Sequence, residues 1–283
     1  MARVTELLRE YSQRLETISD SPRLDVEILL AHCLNKPRSF LYTWPEHRPA
    51  EEQLAEFNTL ITQRLSGQPI AYLTNQREFW GLMLKVTPDT LIPRPDTELL
   101  VEAALQQFQP DQALSILDLG TGSGAIAIAL ASEFPTAHII ATDKSTAALK
   151  VAQENALQHH QHNIQFIESD WFSAVPDKSF DLILSNPPYI AEYDPHLTRG
   201  DVQFEPLTAL TSGHDGLDDI RHLISCSQQF LRPQGAFMLE HGYGQASTIR
   251  CLLEQEGFSH ITCLKDLTGN DRVSFGHSPA SIP

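Results

Sequence analysis

From Ala2 to Ile18 the apolar residues fall at Val4, Leu7, Leu8, Tyr11, Leu15 and Ile18. That three-and-four spacing is one face of a helix, and it predicts an amphipathic helix packed along that face. Ser21-Pro22 then offers an N-cap with proline at the first helical position, predicting a second helix to about Leu34, before Pro37. "PAEEQLAEFNTLITQRLSG" predicts a third, acidic in its first turn and stopped at Gly67. Residues 1–73 therefore read as a small helical bundle. The pattern changes in "YLTNQREFWGLMLKVTPDTLIPRPDTELL", where two β-prone runs flank Trp80-Gly81, followed by a proline-punctuated stretch and a helix capped by Asp96 or Thr97. Residues 74–96 are expected to form a hairpin linker. Over residues 97–283 apolar runs alternate with helical stripes, with strands expected at about 114–119, 138–143, 163–168, 180–185, 235–241, 259–265 and 271–277. Alternation of this kind predicts an α/β domain around a mainly parallel, doubly wound sheet of seven strands.

Composition adds limits. At 283 residues, 41% apolar and 20% charged, the chain has the balance of an ordinary globular protein with room for more than one domain. The first residues, "MARVTELLREYS", are charged throughout, and no apolar run approaches the ~18 residues of a membrane span. A cytoplasmic protein without membrane attachment is expected. Cys33, Cys226, Cys251 and Cys263 form no CxxC pair, which points to reduced thiols and no zinc or other metal site. "HHQH" at 159–162 reads as a solvated helix end. The formal net charge is −16, which argues against a broad nucleic-acid-binding face. Residues 1–80 hold 9 Lys+Arg and 11 Asp+Glu, whereas the remaining 203 hold 11 and 25. The acidic part would attract a basic protein partner and repel a polyanion.

The candidate chemistry begins in "LDLGTGSGAIAIALA", where an expected strand opens through Gly120, Thr121, Gly122, Ser123 and Gly124 into a helix. Glycines there let backbone approach a ligand, with helix N–H groups aimed at it. Ala125 stands where the dinucleotide fingerprint ends, and alanine is tolerated there, so a nicotinamide dehydrogenase remains open on this motif alone. Asp143 ends the next strand, placed either to accept ribose hydroxyls or to cap the following helix. "ESDWF" ends the third strand, offering Asp170 to an adenine amine and Trp171 as a stacking face or as core.

"SNPPYI" separates these readings. Residues before proline are held extended, and prolines donate nothing. The Asn186 side-chain oxygen and the Pro187 carbonyl therefore stand as two acceptors without competing donors, beside Pro188 and a flat wall from Tyr189. Two acceptors suit a planar NH₂ group. Hydride transfer has no use for them, whereas methyl transfer to an amide or aryl-amine nitrogen does.

The combination of Gly-x-Gly-x-Gly, Asp143 and Asn-Pro-Pro-Tyr resembles class I S-adenosylmethionine-dependent methyltransferases, a Rossmann-like class. "RLSGQPIAYL", "FWGL", "LIPRPDTELL", "FEPLTAL" and "GNDRV" are similar, nearly end to end, to the HemK/PrmC family. That family methylates the side-chain amide of the glutamine in the Gly-Gly-Gln motif of class 1 peptide chain release factors. The resemblance implies S-adenosylmethionine as cofactor, held by Gly120 to Gly124, Asp143, Asp170 and Trp171, with Asn186 facing both cofactor and substrate. It implies that Pro187 accepts the second amide hydrogen and Tyr189 packs on the glutamine. It places Arg94, with the rest of "IPRPDTE", at the substrate entrance, where a proline-fixed linker is an equal reading of Arg94 and Asp96. The helical N-terminal domain is expected to recognise the protein substrate, and the enzyme to act as a monomer. Two alternatives share the chemistry: a glutamine methyltransferase acting on a ribosomal protein, and an adenine or guanine amino-group methyltransferase. The ribosomal-protein branch is similar but reads Arg-Ser where Arg94-Pro95 stands here. The closing "HSPASIP" reads as an untethered tail.

Overall fold

The structure, a computed structural model, describes residues 2–176 and 179–280. Backbone packing divides it into two units. The first comprises the residues up to Gln76 together with Thr198–Phe204, and the second comprises Arg77–Leu197 and the chain from Glu205 onward.

The first unit is built from α1 (Val4–Leu15), α2 (Pro22–Leu34), α3 (Arg38–Thr43), α4 (Glu51–Leu65) and α5 (Ile70–Thr74). The stripe on α1 is buried from Val4 to Leu15, while Ile18 lies past the helix end and is 39% exposed. Ser21 precedes α2 but makes no side-chain cap, so Pro22 at the first position carries that start. Helices α3 and α5 are six and five residues long, too short for a periodic stripe to announce them. The Arg64 side chain is buried, donating to Asp25 Oδ2 at 2.8 Å and to Asp201 Oδ1 at 3.1 Å. Asp201 belongs to the excursion Thr198–Phe204, which no feature of the sequence predicts.

The second unit follows chain order as β1 (Gln76–Phe79, whose first residue falls in the first unit), β2 (Leu82–Lys85), α6 (Glu98–Gln107), β3 (Ser115–Leu119), α7 (Ala125–Glu133), β4 (His138–Asp143), α8 (Thr146–Gln158), β5 (Ile164–Glu168), β6 (Phe180–Ser185), α9 (Asp218–Ser227), β7 (Leu231–Glu240), α10 (Ala246–Gln255), β8 (Ser259–Lys265) and β9 (Asp271–His277). Strands β1 and β2 pair as a two-stranded sheet, turning at Trp80 and Gly81 with both residues at positive φ. Asn155 holds this hairpin to α8, accepting from Lys85 N at 2.7 Å and donating to Lys85 O at 2.9 Å. His159 Nε2 and Gln158 reach Met83 O, so the expected solvated helix end at 159–162 is in part a docking point for the hairpin.

The main sheet runs β5-β4-β3-β6-β7-β9-β8, parallel except for β9. Side chains alternate across it as strand geometry requires. Ile116, Ala141 and Leu182 face the core shared with α6 and α7, whereas Leu117, Ile140 and Ile183 face α9 and α10. Strand β7 starts four residues earlier than its apolar run, because Arg232 to Gly235 form a bulge between the Phe180 and Leu182 registers. The closing tail is not untethered over its described part. Ser278 N donates to Gly235 O at 2.9 Å, and Gln234 N to Pro279 O at 3.3 Å. Residues 281–283 lie outside the described residues. Among the described residues no helix is long and apolar enough to cross a membrane.

The strand order reverses between β3 and β6. In open α/β sheets the crevice beyond the carboxyl ends at such a reversal is where ligands bind. Leu119 pairs with Ser185 in register, and Ser185 Oγ donates to Leu119 O at 2.7 Å. The glycine loop and the Asn-Pro-Pro-Tyr loop thus leave adjacent strand ends at one level.

Candidate active site

A cavity opens at that point of the second unit. Its floor is Gly120 to Ser123. Gly120, Gly122 and Gly124 all have φ between +56° and +83°, a region costly for residues with a Cβ. A Cβ on Gly120 would lie 3.2 Å from Trp171 Cζ3, while one on Gly122 would meet nothing within 4 Å. Gly120 therefore keeps the indole close, and Gly122 keeps the backbone open to a ligand. Gly124 does something else. It starts α7 with its Cα facing Ile128 and Ala152, where a Cβ would approach to 3.0 and 3.1 Å, and it does not line the cavity. Its surroundings are those of close helix packing.

Asp143 accepts from Gly122 N at 2.9 Å through one oxygen and from Ser145 N at 2.8 Å through the other. The helix cap is Ser145, whose Oγ accepts from Ala148 N at 3.2 Å. Asp143 also lines the cavity, and a carboxylate there has the acceptor capacity that ribose hydroxyls require. Burial pushes its carboxyl above the ordinary range, against the pull of those N–H groups. Trp171 is half-buried, lines the cavity, packs on the α9/α10 core and donates Nε1–H to Asp219 at 3.0 Å, so it is both wall and core. Asp170 is exposed at the cavity edge.

Asp118, on β3 just before the glycine turn, is fully buried and does not line the cavity. Thr121 Oγ1 donates to its Oδ2 at 2.6 Å, and the backbone N–H of Ala127 in the first turn of α7 also favours its charged form. Burial raises this carboxyl to about 7.

Asn186 and Pro188 line the opposite wall. Asn186 Nδ2 donates to Thr97 Oγ1 at 3.1 Å, and Thr97 Oγ1 donates to Glu240 Oε2 at 2.6 Å. Tyr189 donates its hydroxyl to Glu240 Oε1 at 3.1 Å. Burial raises both Glu240 and Tyr189 above their ordinary ranges, so the phenol keeps its proton. Behind the loop, Gln245 Nε2 donates to Tyr189 O at 3.0 Å, and Gly216 packs so closely that a Cβ there would sit 2.3 Å from that oxygen. The mouth of the site is tied by Glu205, which takes Arg94 Nη2 on one oxygen and Ile92 N on the other, the latter at 3.3 Å. Pro206, Thr208 and Ala209, just beyond Glu205, complete the rim.

Two family descriptions match the chain: the PrmC N-terminal domain over residues 6–74 and the methyltransferase small domain over 95–200. The release factor glutamine methyltransferase of Escherichia coli K12 is 48% identical over 269 residues, spanning 95% of this chain and 96% of its own length. That of Aliivibrio fischeri is 49% identical, spanning 91% of each. The chain belongs to the release factor glutamine methyltransferase family. Among solved structures, the Thermus thermophilus 16S rRNA N2 G1207 methyltransferase in complex with AdoMet and guanosine is 22% identical with a TM-score of 0.54, covering 72% of this chain and 49% of its own. The hMettl16 catalytic domain is 16% identical with a TM-score of 0.56, covering 81% and 82%. These two share this chain's fold.

In this member of the family, Gly120, Thr121, Gly122, Ser123, Asp143, Asp170, Trp171, Asn186 and Pro188 come together on one cavity. Pro187, Tyr189 and Arg94 do not line it. Pro187 is buried in the loop, Tyr189 braces it through Glu240, and Arg94 is engaged by Glu205. Asp118, Glu205, Glu240 and Gly216 are not site candidates from the sequence, and Thr97 is one only as a helix cap and as part of "IPRPDTE". Asp118 sat within the motif "LDLG" as an acidic residue in an apolar strand, a signal that was available. The other four act across more than 20 residues of chain, which no local pattern can show.

Proposed function

We propose that this enzyme transfers a methyl group from S-adenosylmethionine to the side-chain amide nitrogen of the glutamine in the Gly-Gly-Gln motif of class 1 release factors. The observation that carries this reading is the placement of Asn186 on the same cavity as the glycine turn. When bound, the cofactor supplies an electrophilic methyl group on a sulfonium. Everything else falls to the chain. Asn186 Oδ1 and the Pro187 carbonyl would each accept one hydrogen of the glutamine NH₂, fixing the nitrogen in plane, with Pro188 closing the wall. An amide nitrogen has a delocalised lone pair, so orientation matters more than deprotonation, and positioning of this type supplies up to ~7–11 kcal/mol. Once alkylated, that nitrogen is strongly acidic, and the oxygens holding it are the first acceptors its proton meets. No general base is assigned. Glu240 is screened behind Thr97 and Tyr189.

The cavity floor fits the cofactor: an open Gly122, the Asp143 carboxylate, and a tryptophan face. We assign residues 1–73 to recognition of the protein substrate, 74–96 to the hairpin linker and 97–283 to catalysis. A cytoplasmic monomer is the reading proposed here, and the net charge of −16 supports a protein rather than a nucleic-acid substrate. Methyl-labelled cofactor incubated with release factor and with a Gln→Ala version of its Gly-Gly-Gln motif tests the proposal. Label is expected in the first alone. Equal label in both, or label in neither, would overturn it.

A further inference from the structure

Thr97 begins α6 at the N-cap position, where a threonine hydroxyl ordinarily accepts from the backbone of the first turn. Here it caps nothing. Its single proton goes to Glu240 Oε2 at 2.6 Å, the short distance of a charge-assisted bond. The side chain of Glu240 is almost wholly buried at the end of β7. Burying a carboxylate is costly, and the fold accepts that cost beside the cavity. With its proton spent, Thr97 Oγ1 has only lone pairs left for Asn186, and the amide must turn its NH₂ toward Thr97. The Asn186 oxygen is then the end left for the cavity.

We infer that Thr97 and Glu240 are positioning residues that fix which end of the Asn186 amide faces the substrate. This rests on the assignment of Asn186 as an acceptor for the glutamine NH₂. Were the amide reversed, two NH₂ groups would face each other and no productive hydrogen bond would form. The same carboxylate takes the Tyr189 hydroxyl on its other oxygen at 3.1 Å, so one buried group orients the first and last residues of Asn-Pro-Pro-Tyr. Neither Thr97 nor Glu240 needs to touch the reacting atoms.

The test is a double-mutant cycle read in single-turnover methylation, with cofactor affinity measured alongside. Thr97→Val keeps the shape and removes the relay. It is expected to lower the turnover rate by about 10-fold or more, while cofactor Kd moves less than about two-fold. Thr97→Ser restores most of the rate. In an Asn186→Asp background, an oxygen stands at both ends of the side chain and nothing remains to orient, so Thr97→Val should cost under about two-fold there. A merely structural Thr97 would cost the same in both backgrounds, and that result would overturn the inference. So would an unchanged rate in Thr97→Val while Asn186→Ala is impaired. An unimpaired Asn186→Ala would instead remove the assignment beneath it. If Thr97→Val does not fold, Glu240→Gln serves in the same cycle, because its amide offers one acceptor to two hydroxyl protons and leaves the relay without a set direction.

Discussion

Asp143 Oδ2 accepts the amide N–H of Gly122 at 2.9 Å, across 21 residues of chain. A carboxylate at the end of one strand thereby braces the glycine turn at the end of its neighbour while lining the cavity. Asp143→Ala is expected to weaken cofactor binding by about 1.5–3 kcal/mol, the range for hydrogen bonds to a charged group. Titration calorimetry on the folded variant checks this. Unchanged affinity would leave Asp143 as a brace alone.

Asp118 predicts a pH dependence of stability. Its carboxyl sits at about 7 in the folded chain against an ordinary 3.8. Between those values the folded protein holds a proton that the unfolded chain has released, so unfolding releases it and stability falls as pH rises. The contribution is complete below the unfolded value and lost by the time pH passes the folded one. Asp143 and Glu240 are raised too and slope in the same sense, so the comparison is with Asp118→Asn. In urea melts without cofactor, that variant should gain stability relative to wild type between about pH 5 and about pH 7.5. A difference constant with pH would show that Asp118 is ionised throughout.

Gly216 meets two constraints at once. Its φ is +77°, and a Cβ would stand 2.3 Å from the Tyr189 carbonyl oxygen, a backbone atom that Gln245 also holds. Gly216→Ala should destabilise the protein by about 2 kcal/mol or more, left-handed strain contributing ~1–2 of it. The loss should appear as a lower urea midpoint at unchanged slope, together with reduced methylation from a displaced Tyr189. A midpoint within error of wild type would mean that the loop yields easily.

Much of this molecule was legible from pattern. The three-and-four stripe placed α1, the Ser21-Pro22 start placed α2, the acidic first turn and Gly67 stop placed α4, and alternating apolar runs placed all seven strands of the main sheet. The bulge in β7 was not legible, since Arg232-Pro233-Gln234-Gly235 has the composition of a turn. The cavity-lining glycines and Asn186 could be read because their chemistry is local: positive φ, or prolines fixing the next carbonyl. What stayed hidden was the second ring of residues. Glu240 lies 143 positions from Thr97, and Glu205 lies 111 from Arg94, pairs that only the folded sheet brings together. Arg94 looked like an entrance residue by its neighbours, and its guanidinium is committed to Glu205.

The central claim is that Asn186 orients the accepting nitrogen as the methyl group arrives. An interaction realised mainly at that moment changes turnover rather than affinity. The single-turnover rate of release factor methylation by Asn186→Ala, with cofactor affinity measured on the same preparation, tests this most directly. The rate should fall by about two orders of magnitude or more, ~2.7 kcal/mol, with a much smaller change in affinity. A folded Asn186→Ala enzyme turning over at near the wild-type rate would show that the Asn-Pro-Pro-Tyr loop is only a rigid turn.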